Sequence, residues 1–327
     1  RTRVLAALRG EPVDRVPLAF WLHNFATENT AAGLAAETLR LLRAFDWDYL
    51  KPQSRAQCFA EMWGLTYRPS SERATAFAVT RTPIAGAADL LGIEPADPTT
   101  GALGEQLLAL RTIRAEIGPD TPIIWTVFAP IMVLAYLVEG GRERAIDLFR
   151  AEPVATERAL AAVAETLEAY ARLCLEAGAD GLFYATNVAS RELTSQAECR
   201  RLHRPFDTAI LGSVASAPFN VLHVCGAGAR FEEFADYPVT AFSWATVPGN
   251  PTLAEWHRRT GRAVVGGLPA KPEIASMTPE EIAARTRSAI ESMDGRWLLL
   301  APDCSVNPDT PETLFRAAGS AARDAAR

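Results

Sequence analysis

Apolar and polar positions fall into alternating blocks along the chain. Short runs of aliphatic, β-branched or aromatic residues recur, and most are followed by a stretch of helical pattern. The runs are Val16–Trp21, Tyr49–Lys51, Ile123–Phe128, Gly181–Tyr184, Val221–Cys225, Ala241–Trp244, Ala263–Leu268 and Trp297–Ala301. Alternating strands and helices predict a parallel sheet, and eight such units predict a closed (β/α)8 barrel of the TIM type. Two helices stand out. One runs from Pro153 to Ala177, rich in Ala, Leu and Glu, and stops at Gly178. The other runs from Pro279 to Met293, with Thr278 as N-cap and Glu281 three residues on. The apolar stretch from Ile123 to Val138 is broken by Pro130 and is shorter than the roughly 20 residues a membrane span needs. It reads as a strand, a turn at Ala129-Pro130 and a helix that begins with the proline. Residues 59–121 fit the repeat poorly. They predict an insertion after the second strand, with a hairpin in "TYRPSSERATAFAVT" and a helix in "GEQLLALRTIRAEIG". No linker or internal repeat divides the chain, so residues 1–327 read as one domain.

Composition narrows the function classes. A length of 327 residues, 49% hydrophobic and 22% charged, suits one large α/β barrel with ample core. Lys and Arg number 33 against 39 Asp and Glu, a net charge of −6, which argues against a nucleic-acid partner. No strand is followed by a Gly-x-Gly-x-x-Gly loop. "CGAGAR" has two glycines without that spacing, which counts against a dinucleotide fold. Neither a signal peptide nor a membrane span is visible. Five cysteines spread over a long chain do not make a disulfide framework. A cytoplasmic location fits best.

The candidate chemistry starts at "VLHVCGAGAR". Residues i and i+2 of a strand point to the same side, so His223 and Cys225 share a face at the C-terminal end of the fifth run. In a barrel that end carries the active site. The alternative is a satisfied core histidine beside a buried thiol. The last run, "WLLLAPDCSVNPDTPETL", places Cys304 at the same end of the eighth strand. Three soft ligands then face one mouth. Zinc takes Cys sulfur and His nitrogen, and three protein ligands leave a fourth position open for catalysis. Around this cluster, His23 is a candidate substrate contact, following the first run together with Asn24. Asn187, after the fourth run, and Asp303, before Cys304, can each orient a ligand or cap a loop. Trp244 is either core or pocket wall. Trp125 and Tyr184 read as core packing, and His203 and His257 as structural. Cys174 belongs to a helix–barrel interface. Cys58 and Cys199 have no ligand spacing.

The chain resembles members of the uroporphyrinogen decarboxylase superfamily. "RTRVLAALRGEPVDRVP" is similar to the N-terminal signature and "PIIWTVFAPIMVLAYLVEGG" to the third-strand segment. "VLHVCG" and "LAPDCSVNPDTPETL" resemble the zinc methyltransferase branch, typified by methylcobalamin:coenzyme M methyltransferases. The resemblance implies Zn2+ held by His223, Cys225 and Cys304. It further implies a small thiol bound as thiolate on the zinc, and a methylated corrinoid as donor on a separate partner protein. Two departures shape this reading. The decarboxylases carry an arginine-rich motif after the first strand, but here "FWLHNFATENT" follows and no Lys or Arg lies between Arg15 and Arg40. A porphyrinogen with many carboxylates would lack its cationic cradle. A decarboxylase of a smaller carboxylate remains the alternative, with Arg191 and Lys51 as its few basic candidates. Some methyltransferases also have an acidic residue near the sixth strand's end, where this chain reads "FSWATV". A non-catalytic zinc-binding partner of a corrinoid system is the third reading.

Overall fold

The computed structural model describes residues 1–325. Two short strands, β1 (Thr66–Arg68) and β2 (Ala78–Arg81), pair antiparallel with each other. The main sheet follows, with six parallel strands in chain order: β3 (Ile124–Phe128), β4 (Gly181–Thr186), β5 (Val221–Val224), β6 (Ala241–Trp244), β7 (Ala263–Leu268) and β8 (Leu298–Pro302). Every residue of these six strands is buried, the pattern of a parallel sheet covered on both faces.

The two remaining apolar runs, near residues 16–21 and 49–51, are not regular strands. They make single parallel bridges, Leu18 to Leu300 and Leu50 to Ile123. Local chemistry explains the difference from eight predicted strands. Pro17 has no N–H to give a ladder. The N–H of Leu18 donates to the Asp48 carboxylate (3.0 Å) instead of to a backbone carbonyl. Even so, the segments hydrogen-bond to both edges of the sheet. Leu300 N donates to Pro17 O (2.7 Å), Asp48 N to Leu18 O (3.0 Å) and Ile124 N to Leu50 O (2.9 Å).

The helices lie where periodicity predicts them. Pro153–Glu176 and Pro279–Ser292 are continuous, and Pro130–Leu137 begins at its proline. Thr278 and Glu281 cap each other reciprocally: Glu281 N donates to Thr278 Oγ (3.2 Å) and Thr278 N to the Glu281 carboxylate (2.7 Å). Between residues 59 and 121 stand the β1–β2 hairpin and a helix at Gly101–Ile117. Among the described residues no helix is long and apolar enough to cross a membrane. One close approach shapes the sheet. A Cβ at Gly181 would lie 2.1 Å from the Phe219 carbonyl oxygen, so β4 can start there only with glycine.

Candidate metal centre

β5 and β8 deliver the cluster. His223 lies on β5, and Cys225 follows directly, with its N–H donating to Thr186 O at the end of β4 (2.8 Å). The chain then turns at Gly226, whose φ of 98° suits glycine. Cys304 sits two residues past β8. One nitrogen of His223 and the two sulfurs all lie within 4.8 Å of one another. Among the described residues they form the one group of three His, Cys, Asp or Glu side chains so spaced. His223 is buried, and the cysteines are partly exposed.

The imidazole is fixed from two sides. Its Nδ1 is hydrogen-bonded to Ser243 Oγ on β6 (3.1 Å), which leaves Nε2 as the nitrogen to bind a ligand. The Phe183 ring stacks on it with centroids 5.0 Å apart. Ser243 is the register partner of His223 on the neighbouring strand, so the pairing follows from the sheet itself.

The sulfurs are 3.9 Å apart. A disulfide needs about 2.05 Å. Two metal–sulfur bonds of about 2.3 Å at a tetrahedral angle place their sulfurs about 3.8 Å apart. The donor set and its spacing therefore fit a tetrahedral metal. The thiols also share charge. The contact with Cys225 lowers the pKa of Cys304, helped by His223 and opposed by burial. The same contact, with burial, raises Cys225.

Asp303 anchors the Cys304 loop. Its carboxylate accepts from Thr246 N (2.7 Å), Thr246 Oγ (2.6 Å) and, more weakly, Gly267 N (3.4 Å). Burial raises its pKa, and these hydrogen bonds oppose the rise. Asn187 stands at the end of β4 with its side-chain oxygen buried and unpartnered. Trp244 points away from Ser243 and the imidazole. It is buried against Phe231 and Trp256, with its indole N–H donating to Pro251 O (2.9 Å). His23 is outside the three-residue cluster and both of its nitrogens are engaged. Nδ1 bonds the Glu28 carboxylate (2.8 Å), and Nε2 faces the Gln53 side-chain nitrogen (3.0 Å). Trp125 and Tyr184 are core residues, as is Cys174. His203 is buried against Asp207 (3.0 Å). Arg191, one of the two basic candidates, is exposed and paired with Glu232.

Sequence reasoning missed Ser243, Phe183, Gln53 and Glu28. Ser243 left one usable trace, a lone hydroxyl inside the apolar run "AFSWA".

Three comparisons place the chain among known proteins. At 29% identity it is similar to a methylcobamide:CoM methyltransferase, MtaA, of Methanosarcina barkeri, over 99% of this chain and 97% of that protein. It is also 29% identical to a uroporphyrinogen decarboxylase of Enterobacter sp. (strain 638), over 55% of this chain and 56% of that one. A solved methyltransferase from Methanosarcina mazei has the same fold, with a TM-score of 0.79 and 24% identity over 99% of this chain and 97% of its own. The family model described as uroporphyrinogen decarboxylase (URO-D) matches residues 1–325, and the chain belongs to that family.

Proposed function

We propose that the protein is a zinc-dependent methyltransferase, moving a methyl group from a methylated corrinoid on a partner protein to a small thiol. We also read the chain as one domain over 1–327, with the bridged segments at Leu18 and Leu50 completing a closed eight-unit barrel. The observation that carries the functional reading is the convergence of His223, Cys225 and Cys304 within 4.8 Å at the C-terminal ends of β5 and β8. The similarity to a methylcobamide:CoM methyltransferase over nearly the whole chain supports it.

Bound by these three residues, zinc would supply the positive charge that keeps an acceptor thiol ionised at neutral pH. A free thiol of pKa about 8.5 is only about 3% ionised at pH 7, so full ionisation gains about 30-fold, or roughly 2 kcal/mol. That is too little for a difficult methyl transfer, and holding sulfur and methyl group in line must supply more. The protein's part is therefore rigidity. Ser243 fixes the tautomer and plane of His223, Phe183 shields the imidazole from water, and Asp303 holds the Cys304 loop against Thr246. The decarboxylase alternative finds less support. Arg191 already pairs with Glu232 on the surface, and Lys51 is a single buried cation.

Metal analysis and X-ray absorption test the reading. Metal-replete protein should hold about one zinc per chain, and an added small thiol should appear as one more sulfur scatterer. Cys225→Ala and Cys304→Ala should each weaken zinc by at least the 10- to 100-fold typical of losing even an outer partner of a ligand. Cys174→Ala, in the buried helix interface, should leave zinc unchanged. Wild-type protein without zinc would overturn the proposal, as would a Cys174→Ala variant that loses metal like Cys304→Ala. Four protein ligands already closing the zinc would reject catalysis.

A further inference from the structure

The chain meets its need for positive charge almost entirely with arginine and has only two lysines, Lys51 and Lys271. Lys51 is 6% exposed. A buried ammonium is costly unless an anion balances it. Yet the Lys51 Nζ donates to a neutral group, the Gln53 side-chain oxygen (2.5 Å), and among the described residues no carboxylate lies within ion-pairing distance of it. The nearby Glu28 carboxylate is already taken by His23 Nδ1 (2.8 Å) and Asn24 N (3.0 Å). The Gln53 amide is held in one orientation: its nitrogen faces His23 Nε2, so its oxygen must face the lysine. Glu28, His23 and Gln53 thus hold Lys51 without giving it a direct ion pair.

One aromatic ring links the ammonium to the candidate metal centre. Nζ stands 4.9 Å over the Phe183 ring, and that same ring stacks at 5.0 Å on His223. The charge is therefore within about 10 Å of the imidazole, a range over which buried charges are little screened. Burial holds Lys51 down at about 7, against the opposing pull of the Cys304 and Glu28 anions.

A charge count says what the lysine is for. A dication with two cysteine thiolates and a neutral imidazole carries no net charge. A third sulfur anion makes the centre −1. We propose that Lys51 is the counter-charge for the acceptor thiolate, its ammonium cancelling the negative charge that appears when a third sulfur joins Cys225 and Cys304. The acceptor enters as a thiol and is held as a thiolate. Its proton goes to the buffer where Lys51 is already an ammonium, and onto the Lys51 amine where it is not, so the lysine carries the counter-charge in either case. This inference rests on the zinc-thiol reading above and makes Lys51 a positioning charge for that step. At an effective dielectric constant of about 20, a unit charge about 10 Å away changes anion binding on the order of tenfold.

Calorimetry on zinc-loaded, full-length protein tests it with three probes: mercaptoethanol, its S-methyl thioether, and mercaptopropionate. Lys51→Met should weaken mercaptoethanol binding on the order of tenfold, with zinc content unchanged. Lys51→Arg should recover most of the loss, and the thioether, which cannot ionise, should bind both variants alike. Lys51→Gln, a second neutral variant, should repeat the result if Lys51→Met fails to fold. Unchanged mercaptoethanol binding in a zinc-loaded neutral variant would overturn the inference. So would a loss confined to mercaptopropionate, which would assign Lys51 to the substrate's tail, or an equal loss for the thioether, which would make the lysine merely structural. Failure of the wild type to hold zinc would instead strike the functional reading itself.

Discussion

Asp303→Ala should loosen the loop that carries Cys304, and the effect on metal should exceed the effect on the fold. The carboxylate holds three donors, two of them short: Thr246 N at 2.7 Å and Thr246 Oγ at 2.6 Å. Hydrogen bonds to a charged group contribute about 1.5–3 kcal/mol each. Two terms reduce that sum. Thr246 is exposed, so water can satisfy its donors once the carboxylate is gone. Burial also raises the pKa of Asp303, which marks a desolvation cost that the alanine variant no longer bears. The expected stability loss is therefore about 1–3 kcal/mol. Zinc affinity should fall about 10- to 100-fold, because Cys304 then samples positions other than the one that meets Cys225. Asp303→Asn is the finer probe. Its oxygen can still accept from both Thr246 donors, while its NH2 group can only oppose the weak Gly267 contact. It should lose less metal affinity than the alanine variant. A chelator competition titration gives the affinities, and urea denaturation of the metal-free variants gives the stabilities. Alanine and wild-type proteins with equal zinc affinity, despite a lower urea midpoint for alanine, would refute the claim that this carboxylate positions the ligand.

Two further outcomes follow from particular contacts. Glu198 is held down at about 2, first by Arg150 and then by the backbone N–H of Ser195 at the start of its helix. A depressed carboxylate contributes stability above its unfolded pKa and loses it as pH falls. Glu198→Gln should therefore cost about 1 kcal/mol at pH 7, and thermal melts should show that gap shrinking from about pH 4.5 down to 2; a gap independent of pH would contradict the assignment. Gly181→Ala would press a Cβ to 2.1 Å from the Phe219 carbonyl, which backbone cannot yield, so the loss should be about 3 kcal/mol or more; a denaturation midpoint near the wild type would show that β4 can shift.

Strand periodicity carried much of this structure because parallel strands buried on both faces write themselves as unbroken apolar runs. β5 and β8 are such runs, and the i, i+2 rule then put His223 and Cys225 on one face without any knowledge of neighbours. The first two runs look the same in sequence but form only bridges. There a proline withholds one N–H, and the Asp48 side chain, 30 positions from Leu18, captures another. Such a long-range capture has no local signature. Ser243 was hidden for a related reason: its partnership with His223 exists only through the register of β5 against β6. Lys51 was legible as a basic residue but not as a buried one, since lysine is ordinarily solvated and its burial here depends on Trp21 and Phe183 from other segments.

The two sulfurs of the candidate centre, Cys225 and Cys304, are 79 positions apart in sequence. A metal that needs both can be held well only by a chain in which β5 and β8 have already taken their places. Local Cys-x-x-Cys sites can seize metal before their surroundings fold, and so guide folding. Here the chain pays the entropy of closing that long loop through strand pairing and core burial, so that a metal would arrive afterwards. Its free energy would then fall on the native state alone, about 1.4 kcal/mol for each tenfold excess of free metal over the dissociation constant. Such a centre would be a latch on the finished fold, and metal supply would then set how long the assembled protein survives heat and proteolysis.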